Sequence, residues 1–466
     1  MYISQFFTRY DETITQSLNI DPLGITMIWS RLGQRIFSSR VSSISNDVRN
    51  YTVSLLHHYV LKLLVENEPS LSTPLQKLYG KVDSLAFKQA CLIYLENIFV
   101  FSILDAENSQ NFEVDTRGIL GSSKARTKME QNPSLFFTKE SRGQLLVRQL
   151  TLGVSGRYKT PFLDMKFFDK EFCYHQPESV KQWQETHEFM KSNEDLGQLA
   201  KYLVEHLTEL MEINDACPHI DWKEISEDIK SSYTKCFATS AIVGKQSKDF
   251  WLRITGLNQN AAGSLYQAIT NSNEESPTIQ DYFEQAISDT TLSKDDKNKL
   301  ENVCAVEPLL AECDFLFTVL MSQATQTKKA VYQTYKKHGR DVSSIISLAA
   351  DLQHHHPDIT ELFNGIAAKR YSQLLDFASG FNGENNQINM DTLVHKLLQY
   401  HQTIMNQRGQ MAWVEENKEG VYRCNIKQRA LVERPYKSWN NRYYIDQFKN
   451  LIQGLEGINL KGKPND

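Results

Sequence analysis

The chain has 466 residues, of which 41% are hydrophobic and 23% charged, and its formal net charge is −5. At roughly 150 residues per domain this length allows two to four domains, and the composition supplies a globular core without disulfide staples. The seven cysteines are odd in number, scattered and without a C-x-x-C pair, which argues against a disulfide framework and fits reduced thiols.

Helical periodicity dominates the beginning of the chain. Asp21 followed by Pro22 predicts a helix whose first turn contains the proline and whose apolar stripe continues to about Phe37. Ser45 is predicted to cap a second helix, because apolar residues recur every three to four positions from Val48 to Leu63.

The most apolar predicted helix is Leu85 to Leu104, with Lys88 and Glu96 as its only charges. We expect it to form the core of the first domain. Its most apolar run, Ile98 to Leu104, is too short to span a bilayer. Met1 to Tyr10 lacks the features of a signal peptide. The sequence therefore predicts a soluble, cytoplasmic protein with no membrane contact.

The stretch Arg117 to Lys166 concentrates positive charge in an otherwise acidic chain. It contains ten Lys or Arg against three acids, a local charge of 10 − 3 = +7. Five glycines among these charges are typical of a backbone that approaches a polyanion closely. Such a patch is the expected footprint of phosphate contacts, and the alternative is a solvated basic surface facing acidic groups of the fold or of a partner. The residues predicted to bind DNA are Lys124, Arg126, Lys128, Arg142, Arg148, Arg157 and Lys159.

Two local structures are predicted inside this stretch. Arg142 to Leu152 has the apolar spacing of a helix. Gly156 to Phe162 is predicted to be a rigid loop, because the residue before Pro161 is disfavoured in helical geometry. Such a loop would hold Arg157 and Lys159 toward one DNA strand.

The second half of the chain is again periodic. Asn271 to Pro277 has the composition of a linker, so we expect domains at residues 1–110, 111–273 and 274–466. Ser293 is predicted to cap a helix, and Pro308 to His338 is predicted to be one long helix. Met411 to Ile426 alternates around a polar turn and predicts a β-hairpin. The predicted fold class is mainly α, with two helical lobes and a short C-terminal β-hairpin.

The segment after this hairpin interleaves basic and aromatic residues. That pattern is typical of stacking on bases or of a protein-interaction hot spot, although aromatic residues that pack between helices give the same pattern. The predicted partner or nucleic-acid interface consists of Arg434, Tyr436, Lys437, Trp439, Arg442 and Tyr443.

Signatures of catalysis are incomplete. Asp164-Met165-Lys166 has the D-x-K form of one nuclease class, without an upstream Pro-Asp or a preceding strand. Val243 to Ser247 lacks the first glycine and the Ser or Thr of a phosphate loop. Cys173-Tyr-His175 and Cys217-Pro-His219 do not have a standard zinc spacing. We therefore predict no catalytic residue, no metal and no cofactor.

The pattern DPLGITMIWSRLGQRIF followed by SSISNDVRNYT, within residues 21–52, resembles the opening of helical proteins encoded in prokaryotic anti-phage and anti-plasmid defence clusters. Within that class the chain is most similar to the accessory subunit of a Lamassu-type system. A subunit of a phosphorothioation-dependent restriction complex would have a similar sequence. The resemblance implies an SMC-like or other ATPase and a separate nuclease as partners.

The sequence thus predicts a non-enzymatic accessory subunit of a DNA-targeting defence complex. It would bind the phosphates of duplex DNA irrespective of sequence and scaffold an ATPase and a nuclease. Two alternatives remain, a metal-dependent nuclease that uses Asp164 and Lys166, and a protein-interaction scaffold without DNA contact.

Overall fold

The computed structural model describes residues 21–109, 113–272, 276–379 and 389–458. It is 65% helical and 4% strand, which confirms the predicted mainly α class.

Short 3-10 segments lie at Ser141–Gly143, Pro177–Ser179, Trp222–Glu224 and Pro357–Leu362. The α-helices of the described residues are α1 (Ile25–Phe37), α2 (Val48–Asn67), α3 (Thr73–Tyr79), α4 (Leu85–Ser109), α5 (Ser122–Met129), α6 (Gln149–Leu152), α7 (Val154–Asp164), α8 (Val180–Ser192), α9 (Glu194–Glu212), α10 (Glu227–Phe237), α11 (Ser240–Thr255), α12 (Asn260–Thr270), α13 (Ile279–Ile287), α14 (Lys294–Met321), α15 (Lys328–Lys337), α16 (Ser343–His355), α17 (Gly365–Ser379), α18 (Met390–Gln407) and α19 (Ile445–Leu455).

Five short strands form two antiparallel sheets among these residues. The first sheet pairs β1 (Ser134–Phe136) with β2 (His219–Asp221), and Phe136 lies opposite His219. The second has the order β3-β5-β4, from β3 (Thr325–Thr327), β4 (Val414–Glu416) and β5 (Val421–Cys424). The hairpin β4–β5 confirms the prediction for Met411 to Ile426.

The prediction of one helix from Pro308 to His338 is wrong. The helix α14 begins at Lys294, where the Ser293 hydroxyl accepts the N–H of Asp296 at 3.1 Å, and it ends at Met321. The strand β3 follows, and its central residue Gln326 is buried and donates its side-chain amide to the Val319 carbonyl at 2.8 Å. The strand β3 pairs with β5, which lies about a hundred residues later in the sequence. No local sequence pattern indicates a pairing over that separation.

The chain divides into two compact units. The first combines the segment ending at Phe37 with Gln259–Tyr443, and the second combines Ser38–Asn258 with the segment starting at Tyr444. Residues 273–275 of the predicted linker Asn271–Pro277 lie outside the described residues, and the helices on either side of it, α12 and α13, contact each other within the first unit.

In the second unit, α4 is the central helix. It contacts α2, α5 and α10. Although its 25 residues are long and apolar enough to cross a membrane, 94% of its most apolar window is buried. The run Ile98–Leu104 is thus part of a longer apolar helix than predicted, and that helix is buried as the core helix of a soluble protein is.

In the first unit, α14 holds the central position and contacts α1, α13 and α16. Two buried carboxylates on α14 bind the irregular segment that precedes Tyr443. Glu312 pairs with Arg340 at 2.7 Å and accepts the backbone N–H of Lys437, which is in that segment, at 3.1 Å. Glu307 accepts the backbone N–H groups of Asn440 and Asn441 at 2.6 and 2.8 Å. A buried carboxylate is costly unless several donors satisfy it, so these contacts define the path of this segment.

Two predicted helix starts differ from the structure. Asp21 does accept N–H groups, but from Ile25 and Thr26 at 2.9 and 3.0 Å, so α1 begins after Pro22 rather than with it. The cap of α2 is Asp47, which accepts the N–H of Arg49. The Ser45 hydroxyl instead accepts the N–H of Ser42 at 3.1 Å.

Candidate nucleic-acid interface

The basic stretch lies entirely in the second unit, and buried contacts anchor its beginning. The guanidinium of Arg49 is fully buried, pairs with Asp47 at 2.5 Å, and donates to the Arg117 carbonyl at 2.6 Å. Asn50 donates its side-chain amide to the Gly118 carbonyl at 3.1 Å. Arg49 therefore holds the stretch in place rather than extending its charged surface.

Acidic neighbours neutralise some of the cations. Arg126 donates to both carboxylate oxygens of Glu107, at 2.9 and 3.0 Å. Arg117 pairs with Asp115 at 2.8 Å, and Lys166 lies 3.4 Å from a carboxylate oxygen of Glu178. The alternative interpretation, in which the basic residues face acidic groups of the fold, thus applies to part of the stretch.

The other cations have no such neighbour. Among the described residues, no carboxylate lies within 4.0 Å of the basic groups of five predicted DNA-binding residues, Lys124, Lys128, Arg142, Arg148 and Arg157. Four of them are exposed and the fifth, Arg157, is half-buried. They lie on α5, on the loop between β1 and α6, and on α7, and α6 contacts both α4 and α7.

Three of the five glycines of the stretch lie against other parts of the chain. A Cβ atom on Gly156 would lie 2.4 Å from the carbonyl oxygen of Leu150, and one on Gly143 would lie 2.5 Å from that of Thr138. A Cβ on Gly153 would lie 2.4 Å from a carboxylate oxygen of Glu96. The backbone here approaches its own chain closely, so close packing is the physical reason for these glycines.

Two predictions about local structure are wrong. Gly156 to Phe162 is helical, as part of α7, and Pro161 lies inside that helix. Burial of Tyr158, Pro161 and Phe162 against the core compensates for the hydrogen bond that proline cannot make. Arg142 to Leu152 is a braced loop and not a helix, apart from the short 3-10 turn and α6.

Because this segment is a helix and not the predicted loop, Arg157 and Lys159 do not lie on the same side of it. Residues two apart on a helix point to different sides. The ammonium group of Lys159 donates to the Lys170 carbonyl at 2.7 Å and lies 4.3 Å from the centre of the Phe172 ring. Partial burial lowers the pKa of this lysine. Lys159 is therefore engaged by its own chain, whereas Arg157 has no carboxylate within 4.0 Å among the described residues.

A buried polar network connects the core helix α4 to the loop. One carboxylate oxygen of Glu96 accepts the N–H of Ser155, at the start of α7, at 2.6 Å. The other accepts the side-chain amide of Gln149 at 3.1 Å. The side chain of Asn97 donates to the Gly143 carbonyl at 2.7 Å. Burial raises the pKa of the Glu96 carboxyl, while these donors act in the opposite direction.

Two glutamines complete the bracing of the loop. The side-chain oxygen of Gln149 accepts the N–H of Leu145 at 2.7 Å, and that of Gln144 accepts the N–H of Gln149 at 2.9 Å. The loop tip is Val147, 82% exposed, followed by Arg148, whose φ of 58° is left-handed. Strained residues in ordered loops are often functional, so we regard this tip as part of the candidate interface.

An exposed stack of side chains lies beside the loop, and only one of its members was predicted. The guanidinium carbon of Arg142 is 5.8 Å from the centre of the Phe136 ring. The rings of Phe136 and His219 are stacked, with centroids 5.2 Å apart and planes at 24°. No local pattern indicates this contact, because His219 is on the partner strand, far away in sequence.

The predicted C-terminal interface lies in the first unit, and several of its side chains are engaged there. Tyr443 is fully buried and donates its hydroxyl to Glu307 at 2.7 Å, so it cannot contact a partner in this structure. Trp439 packs against the Phe283 ring at 4.9 Å. Arg434 donates to the Ala311 carbonyl at 2.6 Å.

The remaining members of this set lie at the surface. The Tyr436 hydroxyl donates to the Ser344 carbonyl at 2.8 Å, and its ring is 36% exposed. Lys437 and Arg442 are exposed. For these three residues the interface stays a prediction.

The D-x-K residues line a small pocket. Asp164, Lys166, Asp169 and Glu178 are among the residues around its volume of about 320 Å³. Asp164 lies 3.9 Å from the Arg40 guanidinium. Within the described ranges, no three His, Cys, Asp or Glu side chains converge as a metal site would require.

No protein-family model, curated protein sequence or solved structure matches this chain.

Proposed function

We propose that the chain is a cytoplasmic, non-enzymatic accessory subunit of a DNA-targeting antiviral defence complex, and that its second unit binds duplex DNA. The observation that carries the DNA-binding part is the group of five cations without carboxylate neighbours, Lys124, Lys128, Arg142, Arg148 and Arg157. Unpaired surface cations in a chain of net charge −5 attract a polyanion. The defence complex, with its ATPase and nuclease partners, is proposed from the resemblance of residues 21–52.

The binding would be independent of base sequence. Lysine and arginine that contact phosphates position a duplex without reading it. The bracing of the loop by Glu96, Asn97 and Gln149 supports this role, because cations on a rigid loop lose little conformational entropy on binding. We expect the second unit to contribute the DNA contacts and the complex to contribute the chemistry.

The test measures the affinity of the purified chain for a short blunt duplex over a range of salt concentrations. Changing all five unpaired cations to alanine should remove up to five phosphate contacts and reduce the slope of log affinity against log salt by about 0.9 for each contact. A matched control removes five other exposed charges, Lys201, Lys294, Lys329, Lys336 and Lys337. The control should change this slope by less than the first variant does.

An equal loss of slope in both variants would show non-specific attraction, and the proposed interface would be wrong. A protein-interaction scaffold is the second candidate, favoured by the 82% exposure of Val147 at the centre of the basic loop. In that case the five-alanine variant would bind DNA as the wild type does and would no longer copurify with partner proteins.

A further inference from the structure

The exposed stack beside the basic loop is built by the β1–β2 ribbon. Side chains alternate between the two faces of a strand. Leu135 is 2% exposed and faces the core, so its neighbour Phe136 faces the other way. Phe136 and His219 are directly paired across the strands and stack on that outer face.

Close packing of the backbone holds Arg142 over this stack. The residue after it, Gly143, approaches the Thr138 and Phe136 carbonyl oxygens so closely that a Cβ would lie 2.5 and 3.1 Å from them. The Gly143 carbonyl in turn accepts a hydrogen bond from the buried side-chain amide of Asn97 at 2.7 Å. The backbone that carries Arg142 is thereby fixed beside the ribbon.

The planar groups of this stack are open to solvent. His219 and Arg142 are exposed and Phe136 is half-buried. Arg142 also has no carboxylate within 4.0 Å among the described residues, so its charge is available to an anion. An aromatic plane next to an unpaired guanidinium offers a stacking surface and a phosphate contact at one place.

We propose that this stack is a platform for an unpaired base of single-stranded DNA. The base stacks on the exposed plane of His219 or Arg142, supported by Phe136, while the adjoining phosphate is held by the cations of the loop. This inference rests on the proposed function, since those cations are the ones proposed to hold duplex phosphates. It adds that the second unit prefers a duplex that carries a single-stranded tail.

The charge and the shape of the stack indicate which ligand binds there. Stacking on aromatic and guanidinium planes accepts any base, because every base has a π face. The unpaired cations Arg142 and Arg148 lie on the same loop and would repel a basic partner. A flexible tail can turn one base out of line with its neighbours, whereas a base inside a duplex has both faces covered.

The experiment compares three DNA ligands with the full chain, a blunt duplex, the same duplex with a thymine tail, and the same duplex with an abasic tail of equal length. The thymine and abasic tails have the same phosphates and differ only in their bases. We expect the thymine-tailed duplex to bind roughly tenfold more tightly than the abasic one. The salt slopes for these two ligands should be the same, since stacking releases no counterions.

Two variants test the residues. His219→Ala changes an exposed position, and Phe136→Leu keeps apolar volume in the ribbon, so both should remain folded by circular dichroism. Each should reduce the preference for the thymine tail over the abasic tail to about twofold or less. The matched control is Tyr332→Ala, a 39% exposed aromatic residue of the first unit, and it should keep the full preference.

The outcomes separate the two proposals. If the wild type binds the blunt duplex but binds both tailed duplexes equally, the platform is wrong and the proposed function stands. A preference that survives both Phe136→Leu and His219→Ala would also overturn the platform. Failure to bind any of the three ligands would overturn the proposed function itself.

Discussion

The carboxylate of Glu96, in the middle of the core helix α4, accepts the backbone N–H of Ser155 at 2.6 Å. The contact places a buried acid at the start of α7, where the N-terminal N–H groups of a helix favour negative charge. The same carboxylate accepts Gln149, whose side chain closes the basic loop. A residue of the apolar core thus determines the conformation of the surface proposed to contact DNA.

The first prediction concerns this acid. Glu96→Ala would leave the Ser155 N–H and the Gln149 amide without their acceptor, so we expect the free energy of unfolding to fall by about 3 kcal/mol. Glu96→Gln retains an acceptor oxygen and should cost less. Urea unfolding measures both values, and DNA affinity should fall in the same order if Glu96 positions the loop. A wild-type stability for Glu96→Ala would contradict this account.

The second prediction concerns a pair at the protein surface. Glu107→Ala removes the carboxylate partner of Arg126, whose side chain is 47% exposed and also donates to the Thr116 hydroxyl at 2.6 Å. Because an exposed ion pair contributes at most about 1 kcal/mol, stability should hardly change. The freed cation should instead increase the salt slope of DNA binding by up to about 0.9. Glu227→Ala, which breaks the Lys230 pair at 2.7 Å elsewhere in the second unit, serves as the control. An unchanged slope for Glu107→Ala would place Arg126 outside the interface.

The third prediction concerns the packing of α11 against α19. A Cβ atom on Gly244 would lie 1.7 Å from the carbonyl oxygen of Gly454, so the two helices could not keep their separation. We expect Gly244→Ala to lower the free energy of unfolding by about 3 kcal/mol or to prevent folding. On the facing helix, Gly454→Ala would bring its Cβ to 3.1 Å from a methyl group of Val48 and should cost less. Thermal unfolding of the two variants compares them, and equal midpoints would refute this contact.

The fourth prediction concerns pH. Burial lowers the pKa of His57 to about 3 and that of His206 to about 4, from an ordinary 6.5. Below pH 6.5 the unfolded chain therefore binds protons that the folded chain does not, and stability falls as the pH falls. The slope reaches up to about 1.4 kcal/mol per pH unit for each histidine.

Urea unfolding between neutral pH and about pH 5 measures this slope, and His57→Gln should reduce it by removing one titrating group. The raised pKa of Glu96 acts in the opposite sense, because the folded chain binds that proton at a higher pH than the unfolded chain does. A slope that His57→Gln leaves unchanged would show that the pair of His57 with Tyr233, at 2.8 Å, is not buried as the structure has it.

Local signals in the sequence were sufficient for the elements whose reasons are local. The periodicity of Leu85 to Leu104 predicted α4, the Ser293 cap predicted the start of α14, and the alternation of Met411 to Ile426 predicted the hairpin. A cap, a stripe or a tight turn involves residues that are near in sequence, so the pattern contains its own physical cause.

Local signals failed where burial decided the conformation. The rule that disfavours helix before Pro161 was overridden by the packing of Tyr158 and Phe162, which are buried in the second unit. The cap at Ser45 was displaced by Asp47, which also binds the buried Arg49. In each case the free energy gained by burying side chains was larger than the local conformational preference that it opposed.

The sequence by itself determined the helical class, the positions of most long helices, and the presence of a basic stretch in an acidic chain. Only the tertiary structure decided which of its cations are neutralised, because Glu107 and Glu178 are brought to Arg126 and Lys166 by packing. It also decided that Phe136 meets His219, through the pairing of strands distant in the chain. Charge and periodicity are sums over neighbours in sequence, whereas ion pairs and stacked rings depend on distances in space, which only the folded chain defines.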